Sequence, residues 1–197
     1  MNPAPTLVLA SQSPRRRQIL AMLGFRFETA IPPFEEVWPE ALAAGEVPGF
    51  LARGKALSVA APSDQVVFAS DTVVVLGGEV LGKPADEAEA FSMLRRLNGK
   101  THTVYTGIAA ARAGKLCGYE TVATEVDFAK TPESWLKSYA RHPEPRDKAG
   151  SYAIQGLGAA MVAELRGCFY NVMGLPVQAT LKLLASQGIF PELAAGN

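Results

Sequence analysis

One carboxylate in this chain stands where a carboxylate is costly to bury. Asp71 interrupts the apolar run QVVFASDTVVVL at residues 65–76, a pattern that predicts a long buried strand. An unpaired buried carboxylate is strongly unfavourable, so Asp71 must be paired, hydrogen-bonded or bound to a metal ion. With Thr72 beside it, Asp71 could bind a divalent cation or take a proton from a water molecule. The alternative is a structural carboxylate that caps or buttresses a neighbouring loop.

Basic residues occur where an anion could be held. Arg15, Arg16 and Arg17 fall in the first turn of a helix whose start is indicated by Ser13-Pro14. Cations there oppose the positive end of the helix dipole, which favours acidic groups. A docked polyanion resolves the conflict, because free N–H groups and guanidinium groups would then face phosphate together. A solvated basic turn is the alternative interpretation.

Three lysines and one pair of glutamates extend this set. Lys83 and Lys148 lie at chain reversals that can direct a side chain into a cleft, whereas Lys55 lies in a predicted helix. Each lysine taken alone is most often a solvated surface charge. Glu35-Glu36 lies in a proline-bounded loop and could share a metal ion. Carboxylates for metal and water, with cations for phosphate, together suit the hydrolysis of a polyphosphate.

The stretch VVVLGGEVLGKPAD, residues 73–86, matches the first seven positions of the phosphate-binding P-loop pattern. Pro84 then replaces the serine or threonine that would hold magnesium, and it has no N–H to offer a phosphate. A P-loop phosphotransferase is therefore disfavoured. Apolar residues on both sides of the double glycine at 77–78 predict a tight β-hairpin instead. We expect this turn to bring Asp71 and Lys83 together at one end of the sheet.

The remaining elements that must position these residues follow from periodicity and from turn signals. Predicted strands cover residues 6–10 and 25–31, and two long strands cover 102–129 with a turn at Ala113-Gly114. Predicted helices cover residues 13–24, 47–61, 86–97, 132–140 and 176–188, the third with Asp86 as N-cap and Glu89 as capping-box partner. Strands that alternate with helices, together with long hairpins, predict a mixed-sheet α/β or α+β protein.

The composition narrows the kinds of binding partner and the cellular compartment that are expected. Residues 1–197 are expected to form one domain, and 19 Lys and Arg balance 19 Asp and Glu, so no overall field favours nucleic acid or an anionic membrane. Cys117 and Cys168 match no disulfide framework and no zinc pattern, which is typical of a reduced cytosolic interior. No apolar stretch approaches the roughly 18 residues of a membrane span. Basic residues follow the first apolar run, the reverse of a signal peptide, so a cytoplasmic location is expected.

Five blocks in this order resemble the Maf family of nucleoside triphosphate pyrophosphatases from about residue 6 to about residue 186. They are LASQSPRRRQIL, FLARGKA, ASDTVVVLGGEVLGKP, GKTHTVYTGIA, and DKAGSYAIQGLGA with GCFYNVMGLPV. The resemblance implies an elongated α/β fold with a mixed sheet and a cleft between two lobes, related to inosine triphosphatases. It also implies cleavage of a nucleoside triphosphate between its α- and β-phosphates, a divalent metal (magnesium, manganese or cobalt), and a homodimer. The family is also named for effects on septum formation, so a nucleotide-sensing regulator of cell division is the rival interpretation.

The resemblance also implies roles for individual residues. Asp71 matches the carboxylate that accepts a proton from the attacking water. The other matched positions are phosphate-gripping Ser11, Arg15 and Arg16, the charged cleft residues Glu36, Lys55 and Lys83, and Thr72 and Gln155, which with Arg15 are associated with substrate choice. Gln155 in AGSYAIQG is similar to the branch that acts on dTTP and UTP, and a carboxamide suits a pyrimidine edge because it both donates and accepts hydrogen bonds. Gly54 and Cys168 depart from the residues common in the family.

Overall fold

The computed structural model describes residues 5–192, which form one seven-stranded mixed sheet with helices packed against it. The strands are β1 Thr6–Ala10, β2 Glu28–Ala30, β3 Gln65–Leu76, β4 Glu79–Leu81, β5 Thr101–Arg112, β6 Lys115–Phe128 and β7 Val162–Arg166. The helices are α1 Pro14–Met22, α2 Val47–Ser58, α3 Glu87–Leu97, α4 Glu133–Arg141, α5 Phe169–Val172 and α6 Val177–Ala185. Three short 3-10 turns, Glu144–Asp147, Ala149–Ser151 and Leu157–Met161, connect α4 to β7. The predicted mixed-sheet α/β class is confirmed.

Strand β3 is the centre of the sheet, whose order is β2-β1-β3-β5-β6-β7. Along one edge β3 pairs with β5 in antiparallel fashion from Val66 to Val75. Along its other edge, β1 runs parallel to residues 65–68, and β4 returns antiparallel to residues 74–76. Residues 69–73 of β3 therefore face a gap between the end of β1 and the start of pairing with β4.

The alternation of side chains along β3 separates two packed faces. Val67, Ala69, Val73 and Val75 pack on the side of helix α2, in clusters that contain Ala52, Ala56, Val47 and Leu51. Phe68 and its neighbours of even number point to the opposite face, where they pack with residues of α1 and α6 and, further along, of α3. Because successive side chains of a strand alternate, Asp71 must face α2 and Thr72 must face the other side.

Several predicted boundaries are confirmed, and a few are wrong. Strands β1 and β3 and the turn at Ala113-Gly114 lie where the pattern placed them, and Asp86 caps α3 as predicted. The strand predicted over residues 25–31 is limited to residues 28–30, because only this short segment pairs with the edge of β1. Helix α2 ends at Ser58 rather than at residue 61. Strand β7 was not predicted, since its five residues are half-buried or exposed and lack an apolar period.

Within residues 5–192, no helix has the length and apolarity required to cross a membrane.

Candidate functional site

A cavity of about 590 Å³ opens at the gap beside residues 69–73 of β3. This volume lies within the range typical of small-molecule and cofactor sites. The lining includes ten of the residues that the sequence singled out: Ser11, Arg15, Arg16, Glu36, Lys55, Asp71, Thr72, Lys83, Lys148 and Gln155. Arg17 and Glu35, named with them, are exposed and do not line it. The catalytic and binding roles of the ten stay predictions, but these residues, which are far apart in the sequence, line one cavity.

The sheet topology explains why they meet. Strand β1 ends at Ala10 beside the gap, so Ser11 and the start of α1 leave the sheet there. Strand β4 ends at Leu81 on the other side of the gap, and Lys83 follows two residues later. Asp71 therefore lies in the middle of β3, between the points where the chain leaves β1 and β4. The prediction that Asp71 lies at one end of the sheet is wrong. Asp71 and Lys83 nevertheless line the same cavity.

Lys55 joins the two carboxylates of the site. Its Nζ contacts Oδ1 of Asp71, and it lies 2.6 Å from Oε1 of Glu36. The Lys55 side chain is only 7% exposed, because α2 packs its small residues Ala52 and Ala56 closely against the sheet. Lys55 is thus not the surface charge that its position in a helix suggested, and Asp71 is a paired buried carboxylate. The ammonium group holds Asp71 at the wall of the cavity.

Glu36 belongs to a segment between β2 and α2 that has no regular structure at that point. Burial alone would raise the pKa of Glu36, but its hydrogen bond with Lys55, together with the nearby charges of Lys83 and Arg16, lowers that pKa below its ordinary value. Glu36 is therefore an ionised carboxylate beside three cations.

The position of this segment depends on a contact between Phe34 and Gly54. A Cβ atom at Gly54 would overlap the far edge of the Phe34 ring, so the ring occupies the space that a larger residue on α2 would fill. Phe34 also packs against the cluster formed by Val47, Leu51 and Val73. Gly54, the residue before Lys55 on α2, therefore makes room for the Phe34 ring. The packed ring in turn positions the segment that carries Glu36.

Arg16 connects three parts of the chain. Its Nε donates to the carbonyl of Gly174 at 3.0 Å, one Nη donates to Ser11 Oγ at 3.4 Å, and the other donates to Thr72 Oγ1 at 3.2 Å. Burial lowers the pKa of Arg16, and the nearby Asp71 charge partly opposes this shift. The guanidinium ties α1 to β3 and to the turn before α6, so the alternative of a solvated basic turn does not describe Arg16.

Neutral residues that the sequence reasoning missed support Thr72. Thr72 Oγ1 lies 2.9 Å from Thr106 Oγ1, and Thr106 donates to the carbonyl of Asn171 at 2.8 Å. The Asn171 amide donates to Val104 O and to Thr124 Oγ1, each at 3.0 Å. Thr106 and Asn171 lie within the sequence blocks GKTHTVYTGIA and GCFYNVMGLPV, but an uncharged side chain gives no chemical signal without its partners.

Lys148 and Arg15 share one acidic partner. Lys148 pairs with Asp147, and Arg15 lies 3.6 Å from the same carboxylate. Burial would raise the pKa of Asp147, but the hydrogen bond with Lys148 and the charge of Arg15 outweigh it, so that pKa is lowered. Since Asp147 is 64% exposed, an incoming anion can compete with it for both cations. Lys83 is exposed, and within the described part of the chain no ion pair includes it.

His102 supports the cavity wall from behind. Its Nε2 lies 2.8 Å from the hydroxyl of Tyr152, whose ring lines the cavity, and both rings pack edge-on against Phe128. His102 is 2% exposed, and among residues 5–192 its Nδ1 finds no hydrogen-bond partner. Burial lowers the pKa of His102 to about 4. The imidazole is therefore neutral at physiological pH, and its contacts support the wall of the cavity.

Asp71 and Glu36 are also the residues predicted to bind a metal. The described residues contain no group of three or more His, Cys, Asp or Glu side chains that could hold a metal ion alone. Two carboxylates on one ammonium group nevertheless fit magnesium, which commonly binds through one or two carboxylates together with substrate phosphates.

The chain resembles a known protein family, several curated proteins and some solved structures. Residues 6–187 match the family described as Maf-like protein. A dTTP/UTP pyrophosphatase of Anaeromyxobacter dehalogenans is 49% identical over 195 residues, covering 95% of this chain and 96% of that protein. A dTTP/UTP pyrophosphatase of Symbiobacterium thermophilum is 42% identical, covering 96% of this chain and 97% of that protein. Among solved structures, a HAM1 protein from Coxiella burnetii aligns with a TM-score of 0.46 at 17% identity, covering 94% of this chain and 93% of that one.

The family match and these near-full-length relatives lead to one conclusion: the chain belongs to the Maf-like protein family.

Proposed function

We propose that this protein hydrolyses dTTP and UTP to the nucleoside monophosphate and pyrophosphate. The observation that carries the proposal is the buried Asp71–Lys55 pair, joined by the exposed Glu36, at a cavity whose rim supplies further cations. Relatives that are 42–49% identical over nearly their whole length are named for this activity. Carboxylates next to cations are the parts that phosphate-anhydride hydrolysis requires.

In the proposed reaction, Asp71 acts as the general base. Its carboxylate takes a proton from a water molecule whose oxygen bonds to the α-phosphorus. The P–O bond from the α-phosphorus to the oxygen that bridges the α- and β-phosphates breaks at the same time. The bond electrons leave with pyrophosphate. Lys55 holds the Asp71 carboxylate at the cavity wall, and Lys83, Lys148 and Arg15 balance the charge of the phosphates.

A divalent cation, either magnesium, manganese or cobalt, would be held by Asp71 and Glu36 together with phosphate oxygens. When bound, such an ion neutralises charge on the phosphates and polarises the bond that breaks. The support for this site is the pair of carboxylates that share Lys55 at the cavity wall.

Choice of base is assigned to three other features of the cavity lining. Gln155 is exposed at its rim and can both donate to and accept from a pyrimidine edge. Thr72 is fixed by Arg16 and Thr106, so its hydroxyl has a defined place at the wall. Gln155, Thr72 and Arg15 are therefore the proposed determinants of preference for dTTP and UTP.

The test is a panel of nucleoside triphosphates with separate detection of pyrophosphate and orthophosphate. We expect dTTP and UTP to give pyrophosphate and the monophosphate as first products. Orthophosphate with a diphosphate would contradict cleavage at the α–β bond. Tight binding of dTTP without turnover, in single-turnover conditions with metal, would instead favour the nucleotide-sensing regulator.

The compartment, the oligomeric state and the partners are also proposed. We infer a cytoplasmic homodimer that binds neither nucleic acid nor membrane. The balanced charge supports the lack of nucleic-acid and membrane binding, the free thiols Cys117 and Cys168 support a reducing compartment, and the Maf-family resemblance supports the dimer. Light scattering coupled to size-exclusion chromatography tests the assembly, and a monomer at micromolar concentration would contradict it.

A further inference from the structure

The segment AIQGLG, residues 153–158, presents Gln155 to the cavity without the support of a strand or an α-helix. Ala153, Ile154 and Gln155 line the cavity, and Gln155 is exposed. Residues 153–156 lie between two 3-10 turns, and Leu157 and Gly158 begin the second turn, so strand or α-helix hydrogen bonds do not determine the position of Gln155. Side chains from elsewhere must hold it.

Two side chains bind its backbone on both sides of Gln155. Glu144 Oε1 accepts from Gly158 N at 2.9 Å, and Glu144 Oε2 accepts from Leu157 N at 3.1 Å. The Tyr139 hydroxyl accepts from Ala153 N at 3.2 Å and donates to Glu144 Oε1 at 2.7 Å. These four hydrogen bonds form one clamp that closes over the segment, and neither Glu144 nor Tyr139 lines the cavity.

The two glycines of the segment are required by this clamp. A Cβ atom at Gly156 would overlap the Glu144 carboxylate. A Cβ atom at Gly158 would lie 2.7 Å from the Tyr139 hydroxyl and 2.6 Å from the carbonyl of Ala153. The Gly-x-Gly spacing that follows Gln155 therefore makes room for the two clamping side chains.

The clamp is also electrostatically consistent. Burial would raise the pKa of Glu144, but the hydrogen bonds from Gly158 N, Tyr139 and Leu157 N outweigh it and lower that pKa below its ordinary value. Burial and the bond to Glu144 raise the pKa of Tyr139, which keeps its proton as a donor. Hydrogen bonds to an ionised acceptor are stronger than those between neutral groups.

We propose that Glu144 and Tyr139 are positioning residues for base selection: they hold the backbone on both sides of Gln155 so that its amide meets the base at a fixed place. The identity of the preferred substrates rests on the proposed function. The clamp contacts neither Asp71 nor Lys55, so its loss is expected to change the choice of base more than the cleavage of phosphate.

Glu144→Gln tests the proposal because it replaces one acceptor oxygen with an amide that faces the N–H of Leu157 or Gly158. Tyr139→Phe removes both bonds of the hydroxyl and keeps the ring stacked on Trp135. Glu87→Gln is the matched control: Glu87 of α3 pairs at 3.0 Å with Arg141 of α4, the helix that carries Tyr139, and within the described residues it forms no hydrogen bond or ion pair with residues 153–158. For each variant, kcat/KM is measured on dTTP, UTP and GTP, together with a melting curve.

We expect the preference for dTTP over GTP to fall at least about tenfold in Glu144→Gln and Tyr139→Phe, because an unfixed amide no longer discriminates by hydrogen bonding. The control is expected to keep the preference of the parent. A lower melting temperature with an unchanged preference in Tyr139→Phe would overturn the proposal, whether or not Glu144→Gln folds. A parent protein that hydrolyses no pyrimidine triphosphate would instead defeat the proposed function, so the two failures are distinguishable.

Discussion

Asp71 and Lys55 allow the chemistry of the site to be separated from its stability. Asp71→Asn preserves the shape of the side chain but removes the negative charge that contacts Lys55 Nζ. Removing one partner of a buried ion pair costs about 3–5 kcal/mol. Glu36 still lies 2.6 Å from Lys55, and the asparagine oxygen is a weaker acceptor in the same place, so we expect a smaller loss of about 1–3 kcal/mol in the free energy of unfolding.

A second variant isolates the origin of that loss. In Asp71→Asn combined with Lys55→Met, the buried cation is replaced by an apolar chain of similar length, so no buried charge is left without its partner. Glu36 loses its ion pair with Lys55, but its side chain is 54% exposed and stays solvated. We expect the double variant to recover at least half of the lost stability. Its turnover should stay as low as that of Asp71→Asn, because an amide cannot accept the proton of water.

The assay has two readouts. For a chain of this length, the expected loss corresponds to a fall in melting temperature of roughly 3–10 °C, measured without substrate or metal. Turnover on dTTP and UTP should fall at least roughly 10²-fold, the lower limit for removal of a general base. Turnover within a few-fold of the parent would refute the assignment of Asp71 and direct attention to Glu36. Unchanged melting of Asp71→Asn would refute the argument that Lys55 depends on it.

Three further outcomes are expected. Lys83→Ala should keep the melting temperature of the parent but lower kcat/KM on dTTP at least about tenfold, since Lys83 is exposed at the cavity; early melting with full activity would assign it to the fold. Arg16→Ala should lose both activity and about 1–3 kcal/mol of stability, measured by urea denaturation, because three hydrogen-bond acceptors lose their donor. His102 has a pKa lowered by burial from 6.5 to about 4, so the unfolded chain binds the extra proton between these values and stability falls as pH falls through this window. His102→Gln should remove up to about 3 kcal/mol of that loss between pH 7 and pH 4.5 in urea titrations, and an equal loss in both proteins would contradict the role of burial.

Features that depend on neighbouring residues could be predicted from the sequence, whereas contacts between distant residues could not. The apolar run around Asp71 and the double glycine at 77–78 are local patterns, so β3 and its hairpin were predicted with correct bounds. The contact of Lys55 with Asp71 was not predictable in this way, because it depends on where α2 crosses the sheet. Glu144 gave no signal, since an acid between two prolines is indistinguishable from a solvated charge until its backbone partners are known.

The contact between Gly54 and Phe34 has a consequence for how this chain can change over time. Glycine inside a helix costs roughly 1 kcal/mol relative to alanine, so helix propensity alone favours Gly54→Ala. The added methyl group would displace the Phe34 ring from its packing and with it the Glu36 segment, so the gain in helix propensity would be offset by overpacking and turnover would fall. Positions 34 and 54 are therefore expected to vary as a pair during evolution: a larger residue at 54 persists only in lineages where the residue at 34 has already become smaller.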